Sequence, residues 1–263
     1  MFYLTQDGAR VRSKQIRSLQ NPSFKKFLRL LTSQGIRKYG LALISGPKQV
    51  KEVLRDFPER CEGVLLREDH ELPELSFQHN IWTYCFSSSL FDKIDAYGTR
   101  QPILCVKVGP LPAWNSRRHV QGCTLFIPFQ EPGNVGAAIR SGAAFGVSGI
   151  VILKEAAHPY HPKSTRAAGS TLFRVKLLKG PSINDLYRSG IALVQLSPKG
   201  KNINRYRFPS SFGLLPGLEG PGHPAGLKGV PAVRIPMEPG VESLNAAMAT
   251  GIALYLWRTR LRK

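Results

Sequence analysis

The sequence predicts an α/β protein of two domains, the second built on a parallel sheet. Three observations predict this. Short apolar runs alternate with amphipathic stretches of helical spacing along most of the chain. The composition changes at "GPLPAWNSRRHVQG" (109–122), which is rich in Pro, Gly and basic residues and has no periodicity. Beyond it the apolar runs are continuous and regularly separated by helices, the pattern of a parallel sheet covered on both faces. A length of 263 residues accommodates two such domains with ample core. The division is therefore 1–108, a small α/β domain; 109–122, a linker; and 123–263, the parallel-sheet domain.

The elements follow in order. "SFKKFLRLLTSQG" (23–35) has helical spacing, with Phe24, Phe27, Leu28 and Leu31 inward and Lys25, Lys26 and Arg29 outward. "GLALIS" (40–45) reads as a strand and "PKQVKEVLRDF" (47–57) as a helix with Val50, Val53 and Leu54 inward. "GVLLR", "IWTYCF" and "PILCVKV" read as strands, with a short helix "SSLFDKID" between the last two. In the second domain the strands are "TLFIPF", "GIVIL", "FRVKLL", "IALVQL", "FGLLP" and "AVRIP". Its helices are 134–145, 181–189 and a closing one at 242–260.

Lys and Arg total 37 against 17 acids, a net charge of +20, which implies a polyanionic partner, nucleic acid first. No apolar run is long enough to span a bilayer, and no basic amphipathic anchor is present. The N-terminus lacks an apolar signal core. Cys61, Cys85, Cys105 and Cys123 are irregularly spaced without a CxxC pair, which suggests neither zinc nor disulfides but buried thiols in a reducing cytoplasm.

Ligands of open α/β sheets bind at the carboxyl ends of strands, so the loops there are the candidate site. Three stand out. In "EPGNVGAAIRSGAAFGVSG" (131–149), Asn134 is a good N-cap. Val135, Ala138, Ile139, Gly142 and Phe145 form a buried stripe. Arg140 lies between Ala137 and Ala144 on a neighbouring stripe, where small residues leave the guanidinium room for a close partner. Most helical arginines are simply surface residues, so a role for Arg140 needs support from elsewhere in the chain. "LLPGLEGPGHPAGL" (214–227) carries one acid, Glu219, and is neither a Walker loop nor a dinucleotide fingerprint. A tight turn explains it as well as a ligand loop does. "IPMEPGVESLNAAMATG" (235–251) places Glu242, Ser243 and Asn245 where they either cap the last helix or serve a site. Small residues at Ala246, Ala247, Ala249 and Gly251 leave room for a second chain. His158 and His161 have near-metal spacing, but prolines follow both and no third ligand is apparent, so no metal is expected.

Together the three loops resemble the SpoU, or TrmH-type, RNA ribose 2′-O-methyltransferases of the SPOUT superfamily. "NVGAAIR" corresponds to the first motif, "GLEGPG" to the second and "IPMEPGVESLN" to the third. "HPYHPKSTRAAGSTLFRVKL" is similar to the stretch between the first two. Residues 1–108, through "RSLQNPSFKKFLRLLTSQGIRKYGLALISGPKQVKEVL", resemble the family's L30e-like RNA-binding domain. There are departures: Leu218 stands where Ser, Pro or Ala is usual, His223-Pro224 replaces the usual Leu, and "AYGTRQPIL" replaces "TxTPQGIL".

The resemblance implies a trefoil knot in the C-terminal domain and a homodimer formed through it. It also implies S-adenosylmethionine as cofactor, held by main-chain groups at Gly217, Ile235 and Leu244, with Leu196 a fourth. Arg140 would act on the ribose hydroxyl, Asn134 and Asn245 would orient it, Ser243 would position cofactor or nucleotide, and Glu219 would hold Arg140. Arg166, Lys25, Lys26, Arg37 and Lys38 would contact RNA, most readily ribosomal RNA. The competing readings are a transfer-RNA 2′-O-methyltransferase, a base-methylating SPOUT enzyme, or a non-catalytic RNA-binding or ribosome-assembly protein with a decayed methyltransferase domain.

Overall fold

A computed structural model describes residues 2–4, 10–70, 81–117, 121–217 and 229–260. The chain divides into two compact units, Met1–Pro110 with Tyr160–Ser170, and Leu111–Pro159 with Thr171–Lys263.

The first unit runs β1 (Phe2–Leu4), β2 (Arg10–Ile16), α1 (Pro22–Arg29), α2 (Ser33–Tyr39), β3 (Leu41–Ser45), α3 (Pro47–Asp56), β4 (Cys61–Arg67), β5 (Trp82–Phe86), α4 (Ser88–Ile94) and β6 (Ile103–Lys107). Its sheet is mixed, in the order β1-β2-β5-β4-β6-β3. β2, β5 and β4 pair in parallel, and β6 runs antiparallel between β4 and β3. The core is aromatic: Phe27 meets Tyr84 edge-on at 4.8 Å and Phe86 at 6.0 Å.

Two expectations fail here. The helix expected over 23–35 is broken into α1 and α2. Thr32 is the cause: its hydroxyl donates to Arg29 O (2.9 Å) and accepts from Gly35 N (3.2 Å), which caps a new helix. Gly35 fits against the end of α1 so closely that a Cβ would lie 2.0 Å from Arg29 O. Within α1 the buried face is Phe24 and Phe27, which leaves Leu28 exposed, and Leu30 at its C-cap is buried. The strand β2 was not anticipated, since its basic sequence carries no apolar alternation; Ser13 and Ile16, on opposite faces of the strand, are buried.

The second unit contains β7 (Gly122–Ile127), α5 (Pro132–Phe145) and β8 (Gly149–Ile152). The chain then gives α6 (Pro162–Ala168) to the first unit. It returns with β9 (Leu177–Lys179), α7 (Ile183–Leu186), β10 (Leu193–Asn202), β11 (Ser211–Leu215), β12 (Ala232–Arg234) and α8 (Ala246–Arg260). The sheet order is β12-β10-β11-β7-β8-β9, and each of these pairings is parallel. Phe126, Val151, Leu186, Leu193 and Leu215 form a core cluster with almost no exposed surface.

Part of the expected linker is structured. Trp114 N donates to Lys179 O (2.9 Å), Lys179 N to Pro112 O (2.8 Å), and the Trp114 ring meets Phe126 edge-on at 5.1 Å. This apolar anchor was masked by the surrounding Pro and Arg. The strand expected over "FRVKLL" is confined to Leu177–Lys179, because the backbone from Gly169 to Phe173 forms a 3-10 turn.

The largest departure is α6, expected within the 123–263 domain. Thr165 Oγ1 donates to Leu43 O (2.9 Å) and Arg166 to Ser45 O (3.3 Å). Both carbonyls belong to β3, the terminal strand of the mixed sheet, whose outer edge needs such partners. Ser170 Oγ donates to Glu52 Oε2 at 2.6 Å.

Candidate active site

The parallel sheet brings distant residues together at its strand ends. Leu196 lies in β10 opposite Val233 of β12, so Ile235 emerges just past β12 beside it. Gly217 follows β11, the other neighbour of β10, and a Cβ there would lie 3.6 Å from Leu196 O. Three of the four positions expected to clasp a cofactor thus sit on, or within two residues of the end of, adjacent strands. The bare glycine leaves main chain accessible between two of them. The fourth, Leu244, is half-buried at the approach to α8.

Asn134 is not the N-cap of α5. The helix begins two residues earlier, and Glu131 caps it, its Oε2 accepting from Asn134 N at 2.8 Å. The Asn134 side chain is thereby available elsewhere: Asn245 Nδ2 donates to its Oδ1 at 3.0 Å. Asn245 also caps α8, its Oδ1 accepting from Ala247 N (3.0 Å) and Met248 N (3.1 Å). The closing helix therefore starts at Ala246 rather than at 242. One asparagine ends a loop and fixes a helix start against another helix start.

Below this clasp the two helices pack closely. A Cβ on Gly251 would meet Ser141 Oγ at 3.4 Å, and Phe145 meets Tyr255 edge-on at 6.0 Å. Val135, Ala138, Ile139 and Gly142 are buried, as the expected stripe requires. Arg140 projects from the other side of α5 and is exposed, between half-buried Ala137 and exposed Ala144. Ser243 is exposed just before the α8 cap. Glu219 lies outside the described residues, as do Leu218 and His223-Pro224.

The remaining candidates lie in the first unit. Lys25, Arg37 and Lys38 are exposed and Lys26 is half-buried, its ammonium 5.0 Å from the Phe27 ring centroid. Arg166 is committed to the first unit, bonded to Ser45 O and 5.3 Å from the Tyr97 ring centroid. His161 caps α6, its Nδ1 accepting from Lys163 N at 3.2 Å. The four cysteines are free thiols; burial pushes Cys61 up to about 11 and Cys105 up to about 12, and raises Cys85 and Cys123. A cavity of about 450 Å³ beside β9, lined by Trp114, Lys179 and Arg188, contains none of the motif residues.

Sequence reasoning missed Glu131 and the cross-helix role of Asn134. The available signal was an acid three residues before the asparagine, a spacing suited to capping.

Fold and site together define a parallel α/β domain whose candidate residues gather at its strand ends, where ligands of such sheets bind, the layout of an enzyme domain. Residues 125–255 match the model of the SpoU rRNA Methylase family, and this part of the chain is a SpoU methylase domain. The chain is 45% identical over 246 residues to Ribosomal RNA small subunit methyltransferase G 2 of Syntrophobacter fumaroxidans, covering 93% of this chain but 49% of that protein. The chain thus spans about half the length of that relative. It is 28% identical over 248 residues to the 23S rRNA (guanosine(2553)-2′-O)-methyltransferase RlmP of Bacillus subtilis, covering 92% of this chain and 98% of that one. Its fold matches the crystal structure of the SpoU methyltransferase AviRb from Streptomyces viridochromogenes in complex with AdoMet (TM-score 0.76, 23% identity, 93% of this chain and 99% of that one).

Proposed function

We propose that the chain is an S-adenosylmethionine-dependent ribose 2′-O-methyltransferase acting on ribosomal RNA. The observation that carries this reading is the Asn245–Asn134 hydrogen bond, 3.0 Å long across 111 residues of sequence. It joins the first and third motifs at one place, at the start of the helix that carries the exposed Arg140. The activity named for RlmP and the cofactor complex of AviRb support the substrate and the cofactor.

The residues present fit the cofactor. Leu196, Gly217 and Ile235 offer main chain on or just past three adjacent strands, and the missing side chain at Gly217 leaves the backbone open beside Leu196 O. With Leu244 they would hold the adenine. When bound, S-adenosylmethionine supplies an electrophilic methyl group.

The ribose 2′-hydroxyl is a poor nucleophile at neutral pH and must be aligned and relieved of its proton. Guanidinium groups as a class are poor bases, so a simple base role suits an arginine poorly. The Arg140 guanidinium would instead bind the neighbouring phosphate and stabilise the developing alkoxide. Asn134 and Asn245, already locked to each other, would set the position of that charge. Ser243 and Glu219 would position cofactor or nucleotide and Arg140, respectively.

The C-terminal unit would be knotted and would pair with a second copy, so that Arg140 of one protomer serves the cofactor of the other. The closing helix supports this: Met248 and Tyr255, seven residues apart and so on one face, are 58% and 54% exposed. The first unit, read as an L30e-like domain, would supply RNA affinity with a steep salt dependence. No helix among the described residues is long and apolar enough to cross a membrane. The cytoplasm, where ribosomal RNA is found, is the expected compartment.

The test is a methylation assay on ribosomal RNA from a strain lacking the gene, with 2′-O-methyl sites mapped with and without the protein. Cofactor-dependent methylation at a discrete ribose is expected. Retained RNA binding with no cofactor binding by calorimetry would favour the non-catalytic reading instead.

A further inference from the structure

We propose that Trp82 and Arg12 form a stacking platform for an unpaired nucleotide of the RNA substrate. The inference rests on the chain being an RNA-binding enzyme, as proposed above, and places one contact in the first unit.

Along β5 the residues Trp82, Tyr84 and Phe86 point to the same face. Tyr84 and Phe86 are buried beneath Phe27 of α1, but Trp82, one step further along, is 38% exposed. Few large apolar side chains are exposed in the first unit, and this is its only exposed tryptophan among the described residues.

The indole is also held in place. It stacks on Tyr84 at 6.2 Å with an interplanar angle of 28°, and Tyr84 is itself fixed by Phe27. Its neighbour on β4 is Gly63, where a Cβ would come within 2.8 Å of both Trp82 O and the Tyr84 ring. That glycine lets Tyr84 lie flat and leaves no side chain on that flank of the indole. On the other flank Arg12, exposed on β2, sets its guanidinium 5.9 Å from the indole centroid. Lys14 follows two residues on, on the same face and exposed.

A rigid, part-exposed ring with cations on one side suits a base on the ring and its phosphate on the arginine. Every base has a π-face, so such a contact is tolerant of sequence and selective for unpaired strands. A protein of net charge +20 has the long-range field to bring a polyanion there. None of these residues belongs to the three motifs of the methylase domain.

The experiment compares the full chain with Trp82→Leu, Trp82→Phe and Arg12→Ala, using labelled (rU)12, a 12-base-pair RNA duplex and inorganic polyphosphate as probes in anisotropy titrations. Leucine keeps apolar bulk but removes the ring, and circular dichroism checks the fold of each variant. Expected is a loss of about fivefold or more in (rU)12 affinity for Trp82→Leu, largely recovered in Trp82→Phe. Arg12→Ala should lose about twofold or more on (rU)12 and flatten its salt dependence. Duplex and polyphosphate affinities should move less than (rU)12 affinity in Trp82→Leu. If the unaltered protein binds (rU)12 and both Trp82→Leu and Arg12→Ala bind it equally well, the platform is refuted while the enzyme reading stands. Equal loss on all three probes also refutes stacking. An unaltered protein that binds neither RNA overturns both readings.

Discussion

The two sheets of this protein use the same materials to opposite ends. In the first unit, mixed pairing surrounds an aromatic core of Phe27, Tyr84 and Phe86, and the cations Lys25, Arg37 and Lys38 remain outside. In the second, every pairing of the sheet is parallel, so all its strands end at one edge. There Gly217 lies beside Leu196, and Ile235 follows the strand that pairs with Leu196, although loops and strands separate them in sequence. Mixed pairing yields a stable support with a charged surface, whereas parallel pairing yields convergence. The convergent arrangement is the one that can build a cofactor cleft and a reacting centre.

The sharpest way to break the comparison is at Arg140. Arg140→Ala should lower methyl transfer by about 100-fold or more, the scale of losing a charge-stabilising donor. Its melting temperature and cofactor affinity should not change, because the side chain is exposed. Unaltered turnover would remove Arg140 from the chemistry. Next is Phe27→Ala, which empties the first unit's core and should cost about 3–5 kcal/mol in urea denaturation. RNA affinity should fall with it, while calorimetry should find the cofactor bound as before. A matching loss of cofactor affinity would mean that the division of labour is wrong.

Asn245 separates the architectural from the chemical role at one residue. Asn245→Ala removes a cap and should destabilise by about 1 kcal/mol, read from the melting curve. Asn245→Asp keeps the acceptor for Ala247 and Met248 but loses the donor to Asn134. It should retain most of the stability and lose activity. If both properties survive in Asp, the clasp is only structural. The smallest effect concerns the thiols. Cys61 and Cys105 are raised by burial from 9.0 to about 11 and about 12. Their contribution to stability is complete below pH 9.0 and is lost between that value and the folded ones, as the unfolded thiols ionise first. Melting temperature should decline across that window, and replacing Cys105 with Ala should make the decline shallower.

Most strands of both sheets were legible, because runs such as "LALIS", "ILCVK" and "GIVI" are apolar throughout and bounded by turn residues. The motif loops were legible as special and their likeness identified a chemistry. What escaped was decided by single side chains acting across a turn. Thr32 split one amphipathic run into two helices without altering its periodicity. Glu131 took the cap that Asn134 was expected to make, and so released Asn134 for its bond to Asn245. Trp114 anchored a segment whose composition is that of a linker. β2 was hidden by its basic sequence, in which Arg12 and Lys14 are exposed. In most of these cases one side-chain contact, local for Thr32 and Glu131 and more distant for Trp114, decided what the pattern left open.

The passage of α6 into the first unit has a practical corollary. The chain crosses from one unit to the other at 110, at 159 and again at 170, so no single cut separates them. A fragment starting at Leu111 would carry Thr165, Arg166 and Ser170 stripped of the acceptors at Leu43, Ser45 and Glu52. The complementary fragment would expose the outer edge of β3 to strand-to-strand association. Dissection of this protein therefore calls for substitutions in the intact polypeptide, because trimming either end damages the half that is kept.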